Sequence, residues 1–449
     1  MKIIYHIFIS LFYFASGIAG LFYRKAALFY SGRKGLLSRI EKEILTKNVD
    51  KPLAWFHCAS VGEFEQARPV IEQFKEKLSD YRILITFFSP SGYELRKNYP
   101  LADNVCYLPM DTKSNAVRFI DAVNPSVVIF VKYELWRNYL LELKKREIDV
   151  YLISAHFRVS QPFFKWWGRS FREVLHTFKQ IFVQDERSLD LLSTIGIDNV
   201  TVSGDTRFDR VYEIAKKGEE IGILRRFVGD SICCVAGSTW PPDEAMLVSF
   251  IKDRLKSGIT GLKFIIAPHE VGPNSIGKIS DWLGDISHIQ LSQITNLADE
   301  SLSQEEADEI LKGSSVLIID TIGVLSKAYK YGSFAYIGGG FGAGIHNILE
   351  PATFGLPIVF GPKYSRFKEA WELISLGGAF SIEGQTDLDL IFNKLIADAP
   401  FRKNCSETCI RYVSENTGAT DKIMNALINL DSHPQTDIPA QSPKSSKRV

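Results

Sequence analysis

Leu53-Ala54-Trp55-Phe56-His57-Cys58 is followed at once by Ala59-Ser60-Val61-Gly62-Glu63-Phe64-Glu65. The first six residues are a short apolar run rich in strand formers. The next seven read as a tight turn that opens a helix. The same handover recurs along the chain. In the first half the β-rich runs are Leu53 to Cys58, Arg82 to Phe87, Ser126 to Val131, Val150 to Ser154 and Ile181 to Gln184. In the second half they are Ile232 to Ala236, Leu262 to Ala267, Ser315 to Asp320, Phe334 to Gly338 and Ile358 to Gly361. Gly, Pro, Asn or Ser bound these runs, and helical patterns separate them. Continuous apolar runs predict parallel strands covered on both faces. The expected fold class is therefore α/β, with two doubly wound halves and a boundary between Val211 and Asp230. Ligands of such sheets bind at the carboxyl ends of the strands, which predicts a substrate cleft between two facing halves.

Composition agrees with this reading. A length of 449 residues exceeds one ordinary domain, and 45% hydrophobic with 23% charged residues is a globular balance. A net charge of +1 gives no bulk-charge reason to expect nucleic acid. The six cysteines form no pair of C-x-x-C motifs, so no structural zinc site and no other metal or cofactor is expected. Cys58, Cys233 and Cys234 lie in apolar runs and read as core thiols of a reducing compartment.

Both ends carry their own signals. Ile3 to Tyr23 holds no Asp, Glu, Lys or Arg, and Arg24 and Lys25 follow directly. As a helix that run is long enough for a hydrocarbon core of about 30 Å, so residues 1–25 are expected to be a retained membrane anchor. Arg24, Lys25, Arg33 and Lys34 favour a cytoplasmic body behind it. Ser432 to Val449 is rich in Ser, Pro, Lys and Gln and reads as a disordered tail.

Three constellations stand at strand ends. Ser60-x-x-Glu63 is a capping box, and Glu63 is equally a carboxylate able to deprotonate a hydroxyl. Gly237-Ser238-Thr239-Trp240-Pro241-Pro242-Asp243-Glu244 opens a helix; Ser238 or Thr239 either caps it or meets a phosphate. Gly338-Gly339-Gly340-Phe341-Gly342-Ala343-Gly344 follows a strand and precedes His346, Asn347 and Glu350. Those glycines predict a phosphate site at a helix start, with Glu350 on a ribose diol. The loop also fits G-x-G-x-x-A loosely, which keeps a nicotinamide oxidoreductase among the readings. His269 closes another strand. Tyr133-Glu134-Leu135-Trp136-Arg137-Asn138 is either an acceptor contact or a helix start with a buried Trp136. Phe163 to Arg172 interleaves aromatics with cations, as a membrane interface or as a core helix with a basic edge.

Taken in order, Ser60-Val61-Gly62-Glu63, Gly237-Ser238-Thr239, Asp320-Thr321-x-Gly323 and His346-Asn347-x-x-Glu350-Pro351 resemble the bacterial 3-deoxy-D-manno-octulosonic acid (Kdo) transferases. The resemblance runs from the N-terminus to about Trp371. It implies a GT-B-like fold of two Rossmann-like domains. The implied organisation is an anchor at 1–25, an acceptor domain at 26–215, a nucleotide-sugar domain at 216–430 and a tail at 431–449. It implies inverting transfer of Kdo from CMP-Kdo to the lipid A precursor (lipid IVA) on the cytoplasmic side of the bacterial inner membrane. Glu63 takes the place of the family's general base. Pro268 and His269, then Ile322, Gly323 and Val324, then Asn347, Ile348, Leu349 and Glu350 take the places of the CMP site. Ser238 and Thr239 join them on the donor side, and Ser60, Gly62 and Glu134 are the acceptor-side candidates. The implied partners are CMP-Kdo, the lipid acceptor and inner-membrane lipids. Three positions depart from the family: its P-R-H reads Pro268-His269-Glu270, its Glu after D-T-x-G is Val324, and its E-L-W-P ends in Arg137. The rival readings are a transferase or epimerase for another nucleotide sugar, the oxidoreductase, and a non-catalytic membrane-attached scaffold.

Overall fold

Every strand pair among the described residues is parallel. The computed structural model describes residues 2–44, 51–258, 260–300 and 303–428. Its strands are β1 (Leu53–Cys58), β2 (Arg82–Phe87), β3 (Asn104–Tyr107), β4 (Val127–Val131), β5 (Asp149–Ala155), β6 (Gln180–Val183) and β7 (Val200–Val202), then β8 (Ile232–Thr239), β9 (Leu262–Pro268), β10 (His288–Gln290), β11 (Val316–Ile318), β12 (Phe334–Ile337), β13 (Ile358–Phe360) and β14 (Ala379–Ser381). The first sheet has the order β3-β2-β1-β4-β5-β6-β7 and the second β10-β11-β9-β8-β12-β13-β14. β1, β2 and β4 are buried at every residue, as strands covered on both faces must be.

Both sheets reverse direction next to their first strand. The chain runs outward from β1 and returns on its other side at β4; it runs outward from β8 and returns at β12. Such a reversal is a topological switch point, where the loops at the strands' carboxyl ends diverge and leave room for a ligand.

The chain divides into two units, one of residues up to Thr206 together with those from Gly418 onward, the other Arg207–Thr417. The division falls earlier than the 215/216 boundary expected from sequence. The stretch after Gly418 returns to the first unit, whereas the sequence reading kept it with the second up to residue 430. The helix Ala419–Ile428 buries Ile423, Met424 and Leu427 in the same core as Val70, Ile71 and Phe74 of the helix Val61–Lys77. Burying each such side chain stabilises the contact by about 1.5–3 kcal/mol. The tail expected beyond residue 430 lies outside the described residues.

The N-terminal run is not one continuous helix. Helix α1 (Lys2–Ala19) ends in a turn at Gly20, Leu21 and Phe22, and helix α2 (Arg24–Arg33) begins after it. Among the described residues no helix is long and apolar enough to cross a membrane. α1 instead packs one face on the first unit. Tyr5 donates its hydroxyl to the buried Asp111. Ile9 clusters with Phe29 and Met110, and Phe12 meets the rings of Phe29 and Phe88. Arg33, expected among the flanking cations, is buried. It donates to the carbonyls of Phe29, Phe88 and Leu108 and lies over the rings of Phe29 and Tyr107. Burial pulls its guanidinium down to about 10.

Candidate functional site

The switch point of the first sheet lies between β1 and β4, and two acidic side chains arrive there from different strands. β1 ends at Cys58, and the helix Val61–Lys77 opens two residues later. Ser60, the residue before the helix, is extended, and its hydroxyl accepts the Glu63 N–H at 3.5 Å. The Glu63 carboxylate reaches back to accept the Ala59 N–H. The Ser60 cap is therefore real, and the Glu63 carboxylate, turned back past it to the Ala59 N–H, is held at the end of β1. Gly62 is exposed, and a Cβ there would find nothing nearer than the Ser60 hydroxyl, so the ground beside Glu63 is open.

Glu134 comes from the loop after β4. Its carboxylate accepts the Trp136 indole N–H at 2.7 Å and lies 3.2 Å from Nε2 of the fully buried His57. Lys132, the first residue past β4, holds a left-handed backbone with φ of 61°. Glu63 is raised to about 7, first by burial and then by the charge of Glu134, against the lowering influence of the Ala59 N–H and Lys132. A half-buried carboxyl balanced near neutrality, at a strand's carboxyl end, has the proton affinity a general base needs. Arg137 is occupied elsewhere, with Glu173 at 2.7 Å and the Ser170 carbonyl at 3.0 Å.

The switch point of the second sheet lies between β8 and β12. Here backbone, indole and imidazole replace carboxylates. The helix Pro241–Lys256 is capped neither by Ser238 nor by Thr239. Its Asp243 reaches back to the Trp240 N–H at 2.9 Å. Asp243 is buried and also accepts the Tyr336 hydroxyl at 2.7 Å and the Gly339 N–H at 2.9 Å, so one carboxylate ties β8, β12 and the glycine loop together. Thr239 is buried and turns its hydroxyl to Glu244 at 3.0 Å. Ser238 has a left-handed φ of 53°.

Close packing accounts for glycines that sequence reading assigned to a phosphate. A Cβ on Gly338 would stand 2.3 Å from the Ser238 carbonyl oxygen, and one on Gly340 2.5 Å from the Gly361 Cα. The loop then enters a helix of only five residues, Leu349–Thr353, whose dipole is too short to make the expected phosphate site. Asn347 lies just before it, accepting the Leu349 N–H at 3.1 Å and donating to Glu350 at 3.1 Å. Ile348 and Leu349 are core side chains, and Val324 packs partly buried against the same core. Ile322 and Gly323 stand in the loop after β11, Ile322 almost fully exposed.

Three rings gather at this end of the sheet. His269, which follows Pro268 at the end of β9, stacks on Trp240 and on His346 with centroids 4.5 Å apart in each case. The Trp240 indole N–H donates to His346 Nε2 at 3.2 Å. An indole can only donate, so His346 accepts at Nε2 and is neutral in this arrangement. Burial and the neighbouring His269 hold His346 below its ordinary value. Sequence reasoning named His269 but not Trp240, although Trp240 directly follows the singled-out Gly-Ser-Thr turn.

Two parallel sheets, each with its chemistry at a switch point, define the GT-B-like class. A UDP-GlcNAc 2-epimerase from Neisseria meningitidis has the same fold: TM-score 0.57 at 17% identity, with 84% of this chain and all of that one covered. The particular likeness is narrower. Residues 33–210 match the family described as 3-deoxy-D-manno-octulosonic-acid transferase (kdotransferase). The 3-deoxy-D-manno-octulosonic acid transferase of Rickettsia felis is 27% identical over 384 residues, 84% of this chain and 79% of that one. Its counterpart in Aquifex aeolicus is 26% identical over 351 residues, 77% of this chain and 87% of that one. The chain resembles the Kdo transferase family over most of its length, and these homologues indicate a glycosyltransferase.

Proposed function

We propose that this chain transfers Kdo from CMP-Kdo to a lipid A precursor, lipid IVA, in lipopolysaccharide core biosynthesis. The observation that carries the proposal is Glu63, held at the first sheet's switch point with its carboxyl raised to about 7. In this reading Glu63 takes the proton from the acceptor hydroxyl as that oxygen attacks the anomeric carbon, and CMP departs with inversion. Ser60, Gly62 and Glu134 line the acceptor side. CMP-Kdo occupies the second unit, among Ser238, Pro268, His269, Ile322, Gly323, Asn347 and Glu350. Thr239, Val324, Ile348 and Leu349 support this site through packing and backbone, since their side chains are buried or turned to the core.

A lipid acceptor is supported by the surface of the first unit. The unpacked face of α1 and the turn after it expose Phe8, Leu11, Phe14, Leu21 and Phe22. A helix with one packed face and one apolar exposed face suits the membrane–water boundary, and this is the seat proposed for it on the cytoplasmic side of the inner membrane. Trp166, 93% exposed and flanked by Lys165 and Arg169, adds an interfacial aromatic beside cations. From α1 an aromatic path runs through Phe12 and Phe88 to Trp136, which holds Glu134.

The test is transfer of labelled Kdo, made as CMP-Kdo in situ, to a tetra-acylated lipid A precursor by the detergent-purified chain. Product from the native chain, and loss of it in Glu63→Gln, is the expected result. Full turnover by a folded Glu63→Gln chain defeats the base assignment. Binding of UDP in place of CMP defeats the donor assignment.

A further inference from the structure

The Gly-Ser-Thr turn at the end of β8 opens with a glycine that neither a cap nor a phosphate explains. Gly237 pairs with Ile337 of β12 on one side and Ala267 of β9 on the other, and its carbonyl accepts the Gly338 N–H at 2.9 Å where the glycine loop begins. It therefore stands at the switch point of the second sheet. A Cβ there would lie 2.0 Å from the hydroxyl oxygen of Tyr329 and 3.1 Å from the Leu325 side chain. The missing Cβ makes room above all for that one oxygen. Tyr329 follows the short helix Leu325–Ala328 and opens the single turn Tyr329–Tyr331. Its side chain is 1% exposed and belongs to the same core as Val235, Ile337 and Leu349.

Packing alone asks for a phenylalanine at this position. The other buried tyrosines of the unit use their hydroxyls: Tyr336 donates to Asp243 at 2.7 Å and Tyr412 to Glu372 at 2.6 Å. No described residue makes a hydrogen bond at the Tyr329 hydroxyl. A buried hydroxyl left unpaired is costly, and each such group calls for a partner. The Tyr329 oxygen is also not sealed in, unlike the orphaned hydroxyls of Ser280 and Thr353 in the same unit. Burial, and next the charge of Glu350, push Tyr329 well up, so its hydroxyl keeps its proton and is a donor. A donor, Tyr329, and an acceptor, Glu350, thus act on the same ground. A phosphate oxygen could only accept there and would meet the like charge of Glu350. A ligand hydroxyl can accept from Tyr329 and donate to Glu350.

We infer that Tyr329 is a ligand-binding residue whose hydroxyl donates to the ribose diol of the bound nucleotide, while Glu350 accepts from the same diol. Gly237 is glycine because the tyrosine oxygen needs its Cβ space. The inference rests on the reading of the second unit as the nucleotide-sugar site with Glu350 at the ribose.

The test is calorimetry on the full-length chain with CMP and with 2′,3′-dideoxy-CMP, for the native chain and for Tyr329→Phe. CMP is expected to bind Tyr329→Phe about tenfold more weakly, the scale of one lost hydrogen bond. The dideoxy nucleotide, which has no diol, is expected to bind both chains alike. Unchanged CMP affinity in Tyr329→Phe overturns the proposal. Equal weakening of both nucleotides also overturns it, because it marks a purely structural tyrosine. If the native chain binds UMP and not CMP, the donor assignment fails by itself; UMP and 2′,3′-dideoxy-UMP then decide Tyr329 in the same way, since the ribose is common. A native chain that binds neither nucleotide overturns both. Should Tyr329→Phe fold poorly, the carbon-13 Cζ resonance of Tyr329 in the native chain decides. It is expected to shift with CMP and not with the dideoxy form, and a resonance that CMP leaves in place overturns the proposal.

Discussion

The two switch points share a topology and differ in chemistry. At the first, β1 gives way to a helix within two residues, and the side chains delivered are carboxylates held by a backbone N–H and an indole. At the second, β12 gives way to a glycine loop that needs a carboxylate, Asp243, to hold it, and the groups presented are an indole and two imidazoles. The first therefore concentrates proton affinity near neutral pH, and the second offers flat rings. An acceptor that must lose a proton suits the former, and a nucleotide with a base to stack suits the latter. Parallel strand order alone would not have separated them; the residues within a few positions of each strand end do.

The sharpest way to break this division of labour is Glu63→Gln. Turnover is expected to fall about 10²–10⁴-fold, the usual loss for a general base. CMP binding, measured by calorimetry on the same preparation, is expected to stay native. A variant that loses both would mean that the two sites are not separable as described.

The next largest effect is on the second unit's framework. Gly340→Ala would drive a Cβ to 2.5 Å from the Gly361 backbone, where neither chain can give way cheaply. A loss of about 2–3 kcal/mol in urea unfolding is expected, with weakened CMP binding. Gly342→Ala is the internal control, because its Cβ would meet only the Gly339 carbonyl at 3.6 Å. If the two variants unfold alike, the glycines serve a ligand rather than close packing.

Much of this architecture was legible in sequence, and the omissions have a common physical cause. All ten apolar runs became strands, with Leu53–Cys58 and Arg82–Phe87 matching to the residue. The four strands not foreseen, β3, β7, β10 and β14, are the edges of the two sheets. β3 and β7 are mostly half-exposed, so they need no apolar run to reveal them. The places of Glu63, Glu134 and His269 near strand ends were legible, because each stands within five residues after an apolar run. The buried contacts of Thr86 with Trp55 and His57 were not, because they depend on the register that pairs His57 with Thr86 across β1 and β2. The N-terminal run misled by composition. Hydrophobicity could not tell that one face of α1 binds Phe29 and Met110, nor that Arg33 is a buried clamp.

Trp240 offers a smaller perturbation confined to the second site. Trp240→Ala removes one ring of the stack and the donor to His346. CMP affinity of the full-length chain is expected to weaken about tenfold, the scale of one lost aromatic contact. The acid limb of the pH–rate profile belongs to the first site and is expected not to move. A shifted limb would show that the second site also sets the proton balance of the first.

The smallest effect separates the two sites by pH. Glu63 is raised above its ordinary value, whereas His346 is held below its own value of 6.5 by burial and by His269. A depressed histidine stabilises the fold in its neutral form. That contribution is complete above 6.5 and is lost as pH falls through the depressed value in the folded chain. Protonation puts a proton on Nε2, and the Trp240 indole then has no acceptor there. The indole N–H resonance of Trp240, assigned by its absence in Trp240→Phe, should therefore titrate with a midpoint below 6.5. His346→Asn should abolish that titration, while Glu134→Gln should leave it in place. An indole signal that instead follows Glu63, near neutral pH, would tie the stack to the first site's carboxylates and undo the separation on which the comparison depends.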